Sequence, residues 1–184
     1  MTEKEITYTT SNSYATLNQL TIDTKNIWLV FHGMGYLSKY FLKYFKNLNP
    51  IDNYIIAPQA PSKYYIQPKM HVGANWLTRD NTEVGMQNIM NYIDAVFEAE
   101  NISKDKNLII FGYSQGVSIA CRYMVRRQLQ PSKLVLHSGG IPKEFTQNDF
   151  AFLNSECKLK LIYVKKDEYL DKDRIEIEKK KASI

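Results

Sequence analysis

The chain has few cysteines, few histidines and no long apolar run. Its two cysteines, Cys121 and Cys157, are too few for a disulfide framework and lack metal-binding spacing. No apolar stretch is long enough to cross a bilayer, and the polar, acid-containing first residues do not resemble a signal peptide. These absences exclude a disulfide-rich secreted domain and a membrane-spanning protein, and we expect a cytoplasmic location.

The charge pattern also lacks a concentrated basic stripe. The net formal charge is +5, carried by scattered lysines and by a charged run near the C-terminus. Such a pattern favours solubility rather than a nucleic-acid-binding surface. With 184 residues and 44% hydrophobic content, the chain is long enough for a substantial core. We therefore expect a single domain over residues 1–184 that binds no nucleic acid.

Short apolar runs recur along the chain and predict a parallel sheet. Continuous runs of this kind suit strands that are buried on both faces. Segments with helical spacing separate them, so the pattern predicts βαβ units with right-handed crossovers. The predicted parallel strands are residues 27–31, 54–57, 108–111, 134–136 and 159–164.

Capping residues and helical spacing predict the helices. Ser38 precedes apolar residues at helical spacing, and Pro50 ends that segment. Asp80 and Glu83 resemble a capping pair before a helix whose apolar face spans residues 86–97.

Three other segments have different patterns. Residues 6–8 and 14–17 predict the strands of an N-terminal hairpin. Residues 58–78 are interpreted as a long loop that is rich in aromatic side chains. Residues 165–181 are mostly charged and predict a solvated amphipathic helix.

A G-x-S-x-G motif at residues 112–116 follows the apolar run 108–111 and begins a helical segment. Strand, G-x-S-x-G and helix form the nucleophile elbow of an α/β-hydrolase, in which a strained turn holds the serine Oγ clear of the sheet. Gly112 and Gly116 flank the serine because side chains there would collide with the neighbouring strand and helix. Ser114 is therefore the candidate nucleophile. The alternative is a structural turn in which this serine has no catalytic role.

His32-Gly33-Met34 ends the first buried strand. A small residue at this position lets the backbone turn so that its N–H groups face the nucleophile. The candidate oxyanion donors are the backbone N–H groups of Met34 and of Gln115, the residue after the nucleophile. The alternative is a plain glycine-rich turn.

Asp167 follows the predicted strand 159–164. The loop after that strand is where the fold places the triad carboxylate, which orients the histidine and stabilises its cation. Glu168 is adjacent, and Asp171 and Asp173 are close. The alternative for Asp167 is therefore a solvated loop charge.

The catalytic base has no residue in its expected place. The fold orders its triad as Ser, then Asp or Glu, then His, and no histidine follows His137. His137 ends a strand beside the elbow strand and is the possible substitute base. His71 lies in the long loop and could border the pocket, and His32 is expected to hold the oxyanion loop. Each of the three also fits a structural or surface histidine.

Three aromatic residues, Tyr64, Tyr65 and Trp76, lie in the segment 58–78. They are candidates for lining an acyl or leaving-group pocket. The alternative is that they pack the long loop onto the sheet.

Together these motifs resemble the phospholipase/carboxylesterase family of α/β-hydrolases, which includes the acyl-protein thioesterases. The resemblance covers residues 27–171, and Trp76-Leu77-Thr78-Arg79 is similar to a segment of small predicted bacterial esterases. It rests on Phe31-His32-Gly33-Met34-Gly35, Ala57-Pro58, Trp76-Leu77, Gly112-Tyr113-Ser114-Gln115-Gly116 and Ser138-Gly139-Gly140-Ile141-Pro142.

The resemblance implies an α/β-hydrolase fold, with a mostly parallel sheet and helices on both faces. It also implies hydrolysis of a small carboxylic ester or thioester substrate without a metal or organic cofactor. By that pattern Ser114 is the nucleophile, Asp167 is the acid, and Met34 and Gln115 are the oxyanion donors.

The C-terminal end departs from the family pattern. Family members continue past the acid with a helix, a strand, a Gly-His pair that carries the catalytic histidine, and a closing helix. We expect the last strand and helix, about 25 to 35 residues with their connections, to be missing, which leaves the domain incomplete at its C-terminus. The strand at 159–164 would then be an unprotected sheet edge through which copies self-associate.

Two functional expectations follow. The first is a serine carboxylesterase or thioesterase, impaired because no histidine follows Asp167. The alternative is a truncated or degenerate hydrolase-fold protein without catalysis, acting at most as a binding module.

Overall fold

The computed structural model describes residues 1–103, 105–163, 176–178 and 181. These residues form a six-stranded sheet, a separate two-stranded hairpin and helices on both faces of the large sheet. The strands are β1 (Tyr14–Leu17), β2 (Asn26–Phe31), β3 (Asn53–Pro58), β4 (Ser62–Ile66), β5 (His71–Asn75), β6 (Asn107–Tyr113), β7 (Lys133–His137) and β8 (Lys158–Ile162). The helices are α1 (Ser38–Phe41), α2 (Thr82–Glu100) and α3 (Gln115–Arg127), with 3₁₀ turns at Leu42–Phe45 and Gln147–Phe150.

The large sheet has the strand order β1-β3-β2-β6-β7-β8. All neighbouring strands are parallel except β1, which is antiparallel to β3. The five predicted parallel strands are therefore confirmed, and the last of them runs from Lys158 to Ile162. Because parallel strands end at the same edge, the residues after β2, β6 and β7 meet there. Ligand sites in open α/β sheets lie at this carboxyl edge.

The core has two layers, one on each face of the sheet, because successive side chains along a strand point to opposite faces. Ile27, Leu29 and Phe31 of β2 pack towards α2 and α3. Val30, from the same strand, packs on the opposite face against Phe41 and its neighbours. This arrangement confirms the expected sheet with helices on both faces. In the described part of the chain, no helix is long and apolar enough to cross a membrane.

The predicted N-terminal hairpin is wrong. Residues 6–8 form no strand, and β1 pairs instead with β3, with Tyr14 opposite Pro58. β3 is buried along its whole length, and its edge provides hydrogen-bond partners for β1. Ala15 and Leu17 also pack on the α1 side of the core.

The interpretation of residues 58–78 as one long loop is also wrong, because β4 and β5 form an antiparallel hairpin within it. Tyr64, Tyr65 and Ile66 belong to its first strand. These residue types favour strands, and Pro68 lies in the connection between the two strands. This strand–turn–strand pattern was present in the sequence, but the segment was interpreted from its aromatic content instead.

Two helix starts and ends differ from the predicted ones. α2 begins after Asn81 without a side-chain cap, so Asp80 and Glu83 do not act as a capping pair. Glu83 instead forms an ion pair with Arg126, with an N–O distance of 2.8 Å, which joins α2 to α3. The helix that Ser38 begins is only four residues long before it tightens into a 3₁₀ turn.

The charged C-terminal segment is only partly described. Asp167 lies outside the described residues. Glu178 is 1% exposed, contrary to the expected solvated helix. Its Oε2 accepts the Ile141 backbone N–H at 2.6 Å, and Lys181 Nζ donates to the Pro142 carbonyl at 3.0 Å. In the described part, β8 has one neighbouring strand, β7, and self-association through that edge stays a prediction.

Candidate active site

Ser114 occupies the sharp turn between β6 and α3. Its backbone has φ 52° and ψ −120°, a conformation that is strained for any residue with a Cβ. The turn is held on both sides: the Ser114 N–H donates to the His137 carbonyl at 2.9 Å, and the Ser114 carbonyl accepts the Val117 N–H at 3.0 Å. The side chain therefore stands at the carboxyl end of the sheet, where a helix begins.

The two motif glycines allow this close packing. A Cβ on Gly116 would lie 2.7 Å from the His32 carbonyl oxygen, and a Cβ on Gly112 would lie 2.6 Å from the Cα of Val117. Both distances are shorter than real Cβ contacts. The predicted reason for glycine at these positions, collision with the neighbouring strand and helix, is confirmed.

The loop after β2 lies directly beside the serine. A Cβ added to Gly33 would be 3.2 Å from the Cβ of Ser114. In this loop the Gly35 N–H donates to the Ala74 carbonyl at 2.8 Å and the Tyr36 N–H donates to the Gly33 carbonyl at 3.2 Å. These bonds use the N–H groups on the C-terminal side of Met34.

The other proposed donor, Gln115, is the first residue of α3. Its N–H has no carbonyl one helical turn before it, so it can serve a ligand. No acidic side chain lies in the first turn of α3. The positive end of the helix dipole therefore lies next to Ser114, the residue that precedes α3.

The side chain of Gln115 makes contacts that the sequence reasoning missed. Its Oε1 accepts the Trp76 backbone N–H at 2.9 Å. Its Nε2 donates to Asn75 Oδ1 at 2.6 Å and to the Leu77 carbonyl at 2.9 Å. No local signal identifies these partners, because they lie about 40 positions earlier in the chain.

His32 is buried, and both of its ring nitrogens have partners. Nε2 accepts the Ala60 N–H at 3.1 Å, so the ring proton resides on Nδ1, which contacts the Gly33 carbonyl at 2.8 Å. Burial lowers the pKa of His32. This neutral imidazole holds the loop and is not available as a base.

His137 is the last residue of β7 and pairs with Tyr113 in the sheet register. Its ring centroid is 5.3 Å from that of Tyr113, on the same side as Phe111. Both the backbone and the ring of His137 therefore lie beside the elbow residues 113 and 114. His71 is exposed at the start of β5, where it borders an open groove with Gly35.

The three aromatic residues have different environments. Trp76 is 2% exposed, donates from Nε1 to the His32 carbonyl at 2.8 Å and packs on Phe31. Its side chain is therefore in the core, as the packing alternative for this segment describes. Tyr64 is 39% exposed, with its hydroxyl 3.8 Å from the Cβ position of Gly35. Tyr65 is 63% exposed.

The arrangement brings together Ser114, the loop that carries Met34, the N-terminus of α3 and the backbone of His137. The candidate nucleophile therefore lies beside the two segments that carry the candidate oxyanion donors, Met34 and Gln115. Asp167, the predicted acid, is outside the residues on which this geometry rests. In the described residues, no group of three or more acidic, histidine or cysteine side chains could hold a metal ion.

Comparison with known structures gives the same architecture. The chain aligns with acyl-protein thioesterase 2 from Zea mays at 13% identity, covering 90% of this chain and 95% of that one, with a TM-score of 0.60. A phospholipase/carboxylesterase from Dyadobacter fermentans aligns at 16% identity over 92% and 95% of the two chains, also with a TM-score of 0.60. Esterase PE8 aligns at 15% identity over 91% and 95%, with a TM-score of 0.58. At these identities the likeness establishes the fold alone.

No curated protein matches this sequence. The sequence profile of the Phospholipase/Carboxylesterase family matches residues 21–182, a range that includes Ser114, Met34, Gln115 and the strands that carry them. The chain therefore belongs to the phospholipase/carboxylesterase family of α/β-hydrolases.

Proposed function

We propose that this protein is a serine hydrolase of the carboxylesterase type, which cleaves carboxylic esters or thioesters through an acyl-Ser114 intermediate. The observation that carries the proposal is the backbone of Ser114 at φ 52° and ψ −120°, between β6 and α3. A strained conformation persists where the surrounding structure enforces it, and such residues cluster at functional sites. Here the backbone hydrogen bonds of Ser114 to His137 and Val117 hold the turn, and glycine at 112 and 116 leaves room for it.

The reaction has two steps. Ser114 Oγ attacks the carbonyl carbon and its proton passes to a base, while the N–H groups of Met34 and Gln115 stabilise the oxyanion. The tetrahedral intermediate then collapses, and the alcohol or thiol leaves with a proton. Water attacks the acyl-Ser114 ester, which releases the carboxylic acid and restores the serine.

His137 is the proposed substitute base, and Asp167 is the proposed acid. Two features support His137: its carbonyl accepts the Ser114 N–H at 2.9 Å, and its ring packs against that of Tyr113. His32 does not compete because both of its nitrogens are engaged. Loss of the base in a serine hydrolase costs on the order of 10⁶ in kcat, so this role predicts a large loss of turnover in His137→Ala.

The open groove beside the oxyanion loop is the proposed place for part of the substrate. It begins at Gly35, next to Met34, and includes Tyr36, Lys63 and His71. Tyr64 lies against the same glycine, whereas the Trp76 side chain is buried in the core and does not line the groove. A groove that is open to solvent favours short or exposed acyl groups.

The test is hydrolysis of p-nitrophenyl acetate by the whole chain and by Ser114→Ala. Ser118→Ala is the matched control, because it makes the same chemical change one turn further along α3. Turnover that is lost in Ser114→Ala and kept in Ser118→Ala supports the proposal. Equal rates for all three proteins contradict it and favour the non-catalytic alternative.

A further inference from the structure

Two separate parts of the chain supply the proposed oxyanion donors. The Gln115 N–H belongs to α3, and the Met34 N–H belongs to the loop after β2. An oxyanion is stabilised only if both donors keep their positions around one point, with distances of about 2.7–3.1 Å to the oxygen. Some feature of the fold must therefore control the position of one donor relative to the other.

The segment Ala74 to Leu77, at the end of β5, contacts both parts. On the side of the loop, the Ala74 carbonyl accepts the Gly35 N–H at 2.8 Å, and Trp76 Nε1 donates to the His32 carbonyl at 2.8 Å. These bonds hold the residues immediately before and after Gly33-Met34. The segment and the loop also approach closely, because a Cβ on Gly73 would lie 2.7 Å from the Gly35 carbonyl oxygen.

On the side of the helix, the Gln115 side chain makes all the hydrogen bonds that join α3 to residues 74–77 among the described residues. Gln115 accepts from the Trp76 N–H and donates to Asn75 Oδ1 and to the Leu77 carbonyl, at 2.6 to 2.9 Å. The three bonds use both ends of the amide. Trp76 is thus bound twice, by its backbone to the elbow and by its indole to the oxyanion loop.

We propose that the Gln115 side chain is a positioning residue that couples the two oxyanion donors. The same residue carries one donor on its backbone and, through Trp76 and Ala74, fixes the loop that carries the other. The catalytic part of this inference rests on the proposed function. The mechanical part, a link between Gln115 and the loop 32–36, does not.

The chemistry of the contact accounts for the residue type. The site requires one acceptor, for the Trp76 N–H, and two donors, for Asn75 and Leu77. A neutral primary amide offers both. Glutamate would lose both donors and place a negative charge beside a developing oxyanion. Methionine has a similar length but lacks both the N–H donors and a strong acceptor.

The experiment compares the wild-type chain with Gln115→Met, and uses Gln130→Met as the matched control. Gln130 also bridges two backbone groups, the Phe152 carbonyl and the Asn154 N–H, at a place remote from the elbow. Hydrogen exchange followed by mass spectrometry reports on residues 32–36 and 74–77. Hydrolysis of p-nitrophenyl acetate gives kcat and KM separately.

We expect Gln115→Met to exchange faster in both segments and Gln130→Met to match the wild type there. We also expect kcat of Gln115→Met to fall about 10- to 100-fold, since a small misplacement of catalytic groups costs about that much. KM should change less than about threefold, because the donors act mainly in the transition state. Asn75→Asp keeps an acceptor for Gln115 Nε2 and should exchange like the wild type at residues 32–36, whereas Asn75→Leu should exchange faster there, as Gln115→Met does.

Two results would overturn the proposal. Unchanged exchange at residues 32–36 in Gln115→Met and Asn75→Leu would show that the side chain does not control the loop. Faster exchange or lower stability with unchanged kcat would show that the contact is merely structural. A wild-type chain that does not hydrolyse the ester contradicts the proposed function, and the exchange data then still decide whether Gln115 couples the two parts.

Discussion

Replacing Ser114 by glycine should stabilise the fold relative to replacing it by alanine. Ser114 has φ 52° and ψ −120°, a region that costs about 1–3 kcal/mol for a residue with a Cβ. Alanine keeps that cost and glycine removes it. Glycine also loses more conformational freedom on folding, about 0.5–1 kcal/mol. The difference leaves Ser114→Gly more stable than Ser114→Ala by about 1 kcal/mol, or about 2–4 °C in Tm for a chain of this size.

The assay is urea unfolding of both variants under identical conditions. Ser118 provides the matched pair, because it lies inside α3 with ordinary helical geometry. There glycine should be less stable than alanine by about 1 kcal/mol. The two positions are therefore expected to differ in sign. If Ser114→Gly is as stable as Ser114→Ala or less stable, the turn is not strained and the reasoning from the elbow fails.

Three further predictions concern the framework of the site. Burial lowers the pKa of His32 below its ordinary 6.5, so between pH 7 and pH 5 the unfolded chain binds a proton at this residue more readily than the folded chain does. The unfolding free energy should therefore fall by up to about 2 kcal/mol from pH 7 to pH 5, and urea titrations of His32→Gln should lack this part of the pH dependence. Trp76→Phe leaves the buried His32 carbonyl unpaired, which costs about 1–3 kcal/mol of stability and should also slow ester hydrolysis, whereas Trp28→Phe should lower stability alone. Gly116→Ala should destabilise by about 1–3 kcal/mol or more because its Cβ meets backbone, whereas Gly85→Ala, whose Cβ meets only a flexible leucine end at 3.1 Å, should gain about 0.5–1 kcal/mol; thermal unfolding distinguishes the two.

The elbow could be predicted from the sequence because its determinants are local. Five consecutive residues, between an apolar run and a helical segment, define a turn in which only glycine fits two positions before and two positions after the serine. The parallel strands were predictable for a similar reason, since a run such as 27–31 contains enough apolar residues to be buried on both faces. Membership of the family followed from several such segments together.

The support of the site could not be predicted because its partners are distant in sequence. The Gln115 amide meets residues 75–77 because the tertiary fold places the end of β5 beside the elbow. The sequence left two roles open for Trp76, pocket lining and packing, for the same reason, since its indole partner, the His32 carbonyl, lies 44 positions away. Tertiary contacts, rather than residue type, decide which aromatic ring enters the core.

The β4–β5 hairpin shows a different source of error. Its residues have strand-forming character, but the segment was interpreted as a long loop because it is rich in aromatic side chains. The pairing of Tyr64 with Gly73 places a glycine where the oxyanion loop approaches. A glycine in a strand often marks such a close approach, and that signal was present in the sequence.

The proposed reaction passes through a covalent acyl-Ser114 intermediate. The intact mass of the chain after brief mixing with p-nitrophenyl acetate, followed by peptide mapping, tests for that intermediate. We expect the addition of one acetyl group, located on the peptide that contains Ser114 and absent in Ser114→Ala. An unmodified chain, or an acetyl group found only on lysine or tyrosine side chains, would contradict it.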